Sequence, residues 1–446
     1  MSEPTAQPLV EPLVQAQAEV AELLSDLIRI DTTNTGSTAT SAGERKAAEW
    51  VAAKLDEVGI PSQIFESETG RASLVARIPG QDRSKPALLV HGHLDVVPAD
   101  PAEWSVHPFS GEERDGYIWG RGAVDMKDMD AMVLALVRDW ARTGVQPPRD
   151  IVLAFLADEE AGGALGAHFM VDEHPDLFAD CSEAISEVGG FSITVHDDLR
   201  LYLVQTAEKG MGWMRLTVGG KPGHGSFVHD DNAVTRLAEA VARIGNHKFP
   251  LTLTPPMREF IAAVEDAYGI EIDAAEPEVA LARLGGLSRM IGAALRNTAN
   301  PTMLEAGYKA NVVPGTASAT VDGRFLYGQE EEFERQLDSL MGEGVRREWL
   351  VHNPAVETTF DGPLVDQMVA ALKAEDDGAR PVPFTMSGGT DAKSFQRLGM
   401  RCFGFSPLRL PPDLDFAALF HGIDERVPVE SLKFGIRVLD RFLRNA

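Results

Sequence analysis

Two imidazoles and a carboxylate stand at alternate positions in Pro86-Ala-Leu-Leu-Val-His-Gly-His-Leu-Asp-Val-Val-Pro98: His91, His93 and Asp95. Side chains two apart on an extended segment point to one side. The apolar run Ala87 to Val90 ahead of them reads as a buried strand. Ending such a strand in two imidazoles and a carboxylate is costly unless something uses them. His93 is therefore expected to bind a metal. Asp95 would hold that ring from behind, because a metal-bound histidine donates its other ring nitrogen to such a group. A lone His-x-Asp is more often a satisfied polar loop, so the weight must come from elsewhere in the chain.

Further acids occupy comparable places. Asp150 to Ala157 reads as a central strand and stops at Asp158-Glu159-Glu160, followed by Ala161-Gly162-Gly163. Three adjacent acids there repel one another and resist desolvation, and a bound cation would offset both costs. Glu183 to Val188 reads as a short strand with Glu187 near its end, just before Gly189-Gly190. In Gly116-Tyr-Ile-Trp-Gly-Arg-Gly-Ala-Val-Asp-Met-Lys-Asp128 the glycines permit a tight loop. Asp125 heads the helix that follows, a place that helix capping explains equally well. His93, Glu159, Glu160 and Glu187 thus fall at carboxyl ends of expected strands, the edge where open α/β sheets bind ligands. His224 lies in the turn-rich Lys221-Pro-Gly-His-Gly-Ser226, and His421 in a loop before the last helix.

The elements that must position these groups follow from periodicity. Residues 9–30 and 43–58 read as amphipathic helices; 63–66, 73–78 and 87–90 as strands; 126–143 as a long helix. Strands alternating with helices of this length imply an α/β sheet with helices on both faces. From about Leu201 the pattern changes. Strand, helix (232–246), two strands within 311–326 around Pro314-Gly315, helix (330–341) and strand (346–359) follow the ferredoxin-like α+β order. Residues 210–360 are thus expected to form a domain inserted into the first, with a mainly helical excursion near 255–300. The first domain would comprise 1–209 and 361–446, its second part carrying helices at 364–374, 392–398 and 429–444 and a strand at 401–405.

At 446 residues the chain is too long for one ordinary core, which supports two domains. Its 41 basic against 68 acidic residues, a net charge of −27, argue against nucleic acid and anionic membranes as partners. Cys181 and Cys402 belong to no CxxC pair, so a disulfide framework is not expected and a reducing compartment fits. No basic-then-apolar leader and no stretch approaching a membrane span stands in the sequence. A cytoplasmic protein is expected.

Taken together, the stretches GHLDVVP, GRGAVDMKD, DEEAGG, SEVGG, GKPGHGS, NVVPG, SGGTD and HGIDERV resemble the co-catalytic dizinc amidohydrolases. That family spans carboxypeptidase G, aminoacylase, acetylornithine deacetylase, succinyl-diaminopimelate desuccinylase and several dipeptidases. The stretches occur in the family's order and cover the chain from about 25 to 445. The resemblance implies a catalytic domain with a mixed sheet sandwiched by helices and an inserted ferredoxin-like lid. It implies two zinc ions, for which cobalt or manganese could substitute. His93 and Glu187 would ligate one, Glu160 and His421 the other, and Asp125 would bridge both. Asp95 would support His93, and Glu159 would be the general base. Many members carry Asp at the position of Glu187, which keeps the ligand type. The family often has Gly where this chain has Asp128. A cis Asp125–Met126 bond is also implied, and His91 is expected to be structural.

The lid histidine, here His224, would stabilise the oxyanion, often across a homodimer. Asn311 and Arg324 would read the substrate's carboxylate, an acceptor suited to the guanidinium fork. Gly388, Gly389 and Thr390 would supply backbone N–H groups nearby. A strand-surface ion pair for Arg324 and a turn role for Asn311 are the plainer alternatives. The implied activity is hydrolysis of an amide in a small dipeptide or N-acyl amino acid with a free carboxylate. A catalytically silent peptide binder and a dinuclear phosphoesterase compete with it. Intact Glu159 speaks against the first and the carboxylate-reading Arg against the second.

Overall fold

The computed structural model describes residues 13–273, 277, 279 and 287–446. By its contacts the chain divides into two units. One comprises Met1–Leu203, Asp361–Pro381 and Arg397–Ala446; the other comprises Val204–Phe360 and Val382–Gln396. Among the described residues no helix is long and apolar enough to cross a membrane.

The first unit opens with the helix Val14–Arg29, whose Ala16, Val20, Leu23, Leu24, Leu27 and Ile28 form one buried stripe. The expected start at residue 9 lies outside the described residues. Helix Arg45–Asp56 packs on the hairpin of β1 (Ser62–Glu68) and β2 (Arg71–Ile78). Next come β3 (Ala87–His93), the small hairpin β4 (Glu112–Arg114) and β5 (Tyr117–Trp119), β6 (Ile151–Leu156), β7 (Cys181–Ser186), β8 (Phe191–His196) and β9 (Leu199–Glu208). Every residue of β3 and β6 is buried. Each Leu or Val so buried contributes about 1.5 to 3 kcal/mol.

In the second unit β10 (Gly210–Gly219), the short β11 (Gly223–His224), β12 (Thr298–Ala306), the short β13 (Val312–Val313), β14 (Thr316–Phe325), β15 (Val345–Asn353) and β16 (Val356–Glu357) follow. The chain ends with β17 (Ala379–Met386), β18 (Arg401–Gly404) and β19 (Arg426–Pro428).

The sheet of the first unit runs β1-β2-β6-β3-β7-β18-β9. β3 pairs parallel with both β6 and β7, β18 pairs parallel with β7, and β2 pairs antiparallel with β6 and β1. The sheet is therefore mixed, as expected. Helix Lys127–Thr143 packs on β3 and against helices Val14–Arg29 and Val429–Leu443. Its residues 127–140 are all buried, and Gly144 in left-handed conformation (φ 73°) ends it. The Lys127 ammonium, fully buried and pushed down to about 8 by burial, donates to the carbonyls of Leu27 and Ile30 at 3.0 Å each. The start of the long helix is thereby pinned to the end of the first.

The second unit holds a four-stranded antiparallel sheet in the order β12-β14-β10-β15. Strand alternation places Leu216, Val218, Ala317, Ala319 and Val321 in one core with Leu237, Ile244, Phe333, Leu337 and Met341 from helices Ala233–Asn246 and Glu330–Met341. Asn232 caps the first of these helices by accepting from the Val234 N–H at 2.9 Å. This is the expected strand-helix-strand-strand-helix-strand order, with one correction. The second strand is not at 311–313, which forms only the two-residue β13, but is β12 at Thr298–Ala306. The helical excursion thus ends before this strand, with helices at Pro255–Tyr268 and Leu287–Ala293. β12 has one buried residue, Ala299, and contains Pro301, so neither alternation nor propensity marks it. Pairing with β14 creates it, at an edge where proline is tolerated.

Candidate metal centre

Strand order builds the site. β6, β3 and β7 are parallel neighbours, so their carboxyl ends share one edge of the sheet. His93 is the last residue of β3. After β6 the chain turns through Asp158, in left-handed conformation (φ 68°), into Glu159 and Glu160. Glu187 follows β7 and is itself followed by Val188 at φ 53°. His421 also sits at positive φ, 57°. Non-glycine residues are uncommon there, and three occur at or beside the expected ligands. The Asp125–Met126 bond is cis, as the resemblance implies.

Six expected side chains converge. Asp125 Oδ1 lies 3.2 Å from His93 Nε2, and Asp125 Oδ2 lies 3.2 Å from His421 Nε2. Glu187 Oε2 is 3.5 Å from His93 Nε2, and Glu160 Oε2 is 3.1 Å from His421 Nε2. Glu159 Oε2 stands further off, 3.9 Å from His93 Nε2. Ligand atoms of His93, Asp125 and Glu160, and again of His93, Glu159 and Glu187, lie within 4.8 Å of one another.

The charges of this group are interdependent. Burial opposes charge on His93, but Glu187, Asp125 and Glu159 outweigh it and raise the pKa. Asp125 and Glu160 push His421 up to about 10. Burial also opposes charge on Asp125, yet the two imidazoles hold its carboxyl well below the usual range. Burial pushes Glu187 up to about 8, and burial followed by Asp125 raises Glu160. Four carboxylates this close need positive charge. Glu160 Oε1 is buried and has no hydrogen-bond partner among the described residues. Imidazole nitrogens and carboxylate oxygens in this proportion fit two divalent cations of the zinc, manganese or cobalt type.

A second layer holds these groups. The His93 ring donates through Nδ1 to the main-chain oxygen of Asp95 at 2.9 Å, whereas the Asp95 carboxylate is 3.6 Å away. That carboxylate accepts instead from the N–H groups of Glu159 and Glu160, 3.1 Å each, and from Asn34 Nδ2 at 2.8 Å. Asp95 therefore fixes the acidic turn as well as the histidine. Asn34 also reaches Asp158, which pairs with the buried Arg71 at 2.7 Å. On the other side, buried Glu425 accepts from Val124 N–H at 2.8 Å and Asp125 N–H at 3.3 Å, and pairs with Arg121 at 2.7 Å. β19, which follows Glu425, pairs with β5. The segments carrying His421 and Asp125 are thus tied together. Sequence reading missed Asn34, Arg71 and Glu425. Glu425 lay within the quoted HGIDERV stretch, but nothing local showed its partner. A Cβ on Gly92, between the two histidines of β3, would lie 2.3 Å from Asp130 Oδ1, so any larger residue there would have to displace that buried side chain. His91 is buried, and burial with the neighbouring His93 pushes it down to about 3, which keeps it neutral as a structural residue.

The remaining expected residues belong to the second unit. His224 is exposed on β11, and its Nδ1 lies 2.8 Å from Ser226 Oγ. β11 pairs with β13, and Gly225 N–H donates to the Asn311 carbonyl at 2.9 Å, so His224 and Asn311 share one local structure. Arg324 donates to both oxygens of Asp322, at 2.7 and 3.2 Å, the plainer pairing anticipated for it. Thr390 is held by Glu208, and Gly388 and Gly389 precede it in the same loop.

The family model described as Peptidase family M20/M25/M40 matches residues 89–445. The N-fatty-acyl-amino acid synthase/hydrolase PM20D1 of Xenopus tropicalis is 28% identical over 444 residues, covering 96% of this chain and 86% of that one. Aminoacylase-1 of Sus scrofa is 29% identical over 405 residues, covering 87% and 86%. Among solved structures, an M20 family metallo-carboxypeptidase from Sulfolobus solfataricus superposes with a TM-score of 0.73 at 18% identity, over 96% of this chain and 99% of that one. The chain belongs to peptidase family M20/M25/M40 and is a hydrolase of amide bonds.

Proposed function

We infer that the chain cleaves the amide bond of an N-acyl amino acid or small dipeptide bearing a free carboxylate. The observation that carries this reading is the placing of one carboxylate, Asp125, between imidazoles from two distant segments, with Glu160 and Glu187 beside them. His93 and Glu187 would hold one divalent cation, Glu160 and His421 a second, and Asp125 both. When bound, such a pair acidifies water and polarises the scissile carbonyl. Glu159, 3.9 Å from His93, takes the proton from the attacking water and returns it to the departing amine nitrogen. Asp95 holds Glu159 in place through its main-chain N–H. His224 would stabilise the oxyanion, and Asn311, Arg324 and the Gly388–Gly389 turn would bind the substrate carboxylate, with Arg324 first leaving Asp322.

Among the sequence relatives at 28–29% identity, one is named for N-fatty-acyl-amino acids, others are aminoacylases and one is a probable carboxypeptidase, which favours N-acyl amino acids over dipeptides. The test is a panel of N-acyl amino acids and dipeptides on protein loaded with zinc, cobalt or manganese, with Glu159→Ala as control. Turnover lost in the variant supports the reading. Absence of turnover with every metal, alongside measurable binding, would leave a silent peptide binder. The homodimer that the resemblance implies is tested by sedimentation equilibrium.

A further inference from the structure

The loop Ser387–Asp391 lies between β17 and the short helix Ala392–Gln396. Two consecutive residues at the junction of β9 and β10 hold its two ends. Lys209 N–H donates to the carbonyl of Met386, just before the loop, at 3.1 Å. The Glu208 carboxylate takes the far end: Oε2 accepts from Thr390 N–H at 2.9 Å, and Oε1 accepts from the Thr390 hydroxyl at 2.6 Å. Gln205 Nε2 adds a third bond to Oε1 at 3.2 Å. Thr390 Oγ1 in turn accepts from Ala392 N–H at 3.1 Å, which joins the clamp to the helix start. The Lys393 ammonium donates to the carbonyls of Lys209 and Pro354 and lies 4.0 Å from Glu208 Oε2. Glu208 is 1% exposed and Lys209 0%.

The chemistry of this arrangement is one-directional. A carboxylate only accepts, and it has three donors and a nearby cation to accept from. Thr390 spends both of its donors inward on Glu208, so it has none left for a ligand. Gly388 and Gly389, half-buried between the two clamped ends, carry the N–H groups that the functional reading assigns to the substrate. Both glycines sit against side chains: a Cβ would lie 3.0 Å from Met386 Cε at Gly388, and 3.0 Å from Lys393 Cε at Gly389.

The geometry points to Glu208 as a positioning residue for substrate recognition, one that fixes the Gly388–Gly389 turn so that its N–H groups are set for the substrate's carboxylate. This rests on the functional reading above, in which that loop binds substrate. A donor pair held before binding costs little ordering when the ligand arrives.

Glu208→Gln tests it, because the amide keeps the shape but turns one acceptor into a donor facing Thr390. On a turned-over N-acyl amino acid the variant is expected to raise KM by about tenfold or more, with kcat within about threefold. Metal content should be unchanged. Should that variant fail to fold, Thr390→Val, which removes the hydroxyl donor to Glu208 at nearly the same size, should raise KM. A lowered melting temperature with KM unmoved in the folded range, or kcat lost with KM unchanged, would overturn the proposal. Should the wild type turn over nothing, the functional reading falls by itself. Calorimetric binding of an N-acyl amino acid then decides: weaker binding by the folded Glu208→Gln or Thr390→Val variant supports the clamp, and equal binding or none overturns it.

Discussion

The two oxygens of Asp125 face different imidazoles, each 3.2 Å away: Oδ1 meets His93 Nε2 and Oδ2 meets His421 Nε2. One side chain thus serves both halves of the cluster. Asp125→Ala should empty both metal positions, whereas His421→Ala should leave about one equivalent of the wild type's two. Elemental analysis after dialysis reads this directly. An Asp125→Ala protein that retains the full wild-type content would sink the bridging role.

Glu159 and Glu160 are neighbours with different surroundings, 3.9 Å from His93 and 3.1 Å from His421 respectively. Glu159→Gln should lower kcat by about 10² to 10⁴-fold while metal content stays at the wild-type level. Glu160→Gln should instead lose metal. If both variants lose metal alike, Glu159 is a ligand and the proposed general base is wrong.

Glu425 reaches the Asp125 loop through two main-chain N–H groups and is itself held by Arg121. Its substitution by Gln should loosen that loop and weaken metal affinity by about 10- to 100-fold. Activity should return when metal is added in excess. A titration curve superimposable on the wild type's would show that the contact positions nothing.

Asp376, which pairs with Arg200 and Tyr202, gives a pH signature of its own. Burial works against its charge, but Arg200, Tyr202 and the Gly378 N–H overcome that and hold it down to about 2, against an ordinary 3.8. The unfolded chain therefore binds more protons between those values. The stabilisation is fully present above the ordinary value and is lost as pH falls toward 2. Asp376→Asn should lower the urea midpoint at pH 7, and the gap from wild type should narrow on acidification below about pH 4. A gap that stays constant from pH 7 to 3 would contradict the ion-pair origin.

Much of the scaffold was legible along the chain. Fully buried runs such as Leu88–Val90 and Ile151–Leu156 announce strands, because burial on both faces leaves a continuous apolar record. β12 and β17 were missed. The first is an exposed edge with one buried residue, and the second carries Pro381 and Pro383, so both owe their strand form to a neighbour rather than to their own residues.

What the sequence by itself determined are the positions where apolar runs stop at His93, Glu159 and Glu187, since hydrophobic periodicity is a local property. What only the tertiary structure decided is which groups meet. The order β6-β3-β7 sets those ends side by side. The carboxylate of Asp95 went to an N–H 64 residues away, that of Glu425 to one 301 away, and that of Glu208 to one 182 away. A hydrogen bond over such a separation leaves no periodic trace, because nothing in the residues between its partners has to record it.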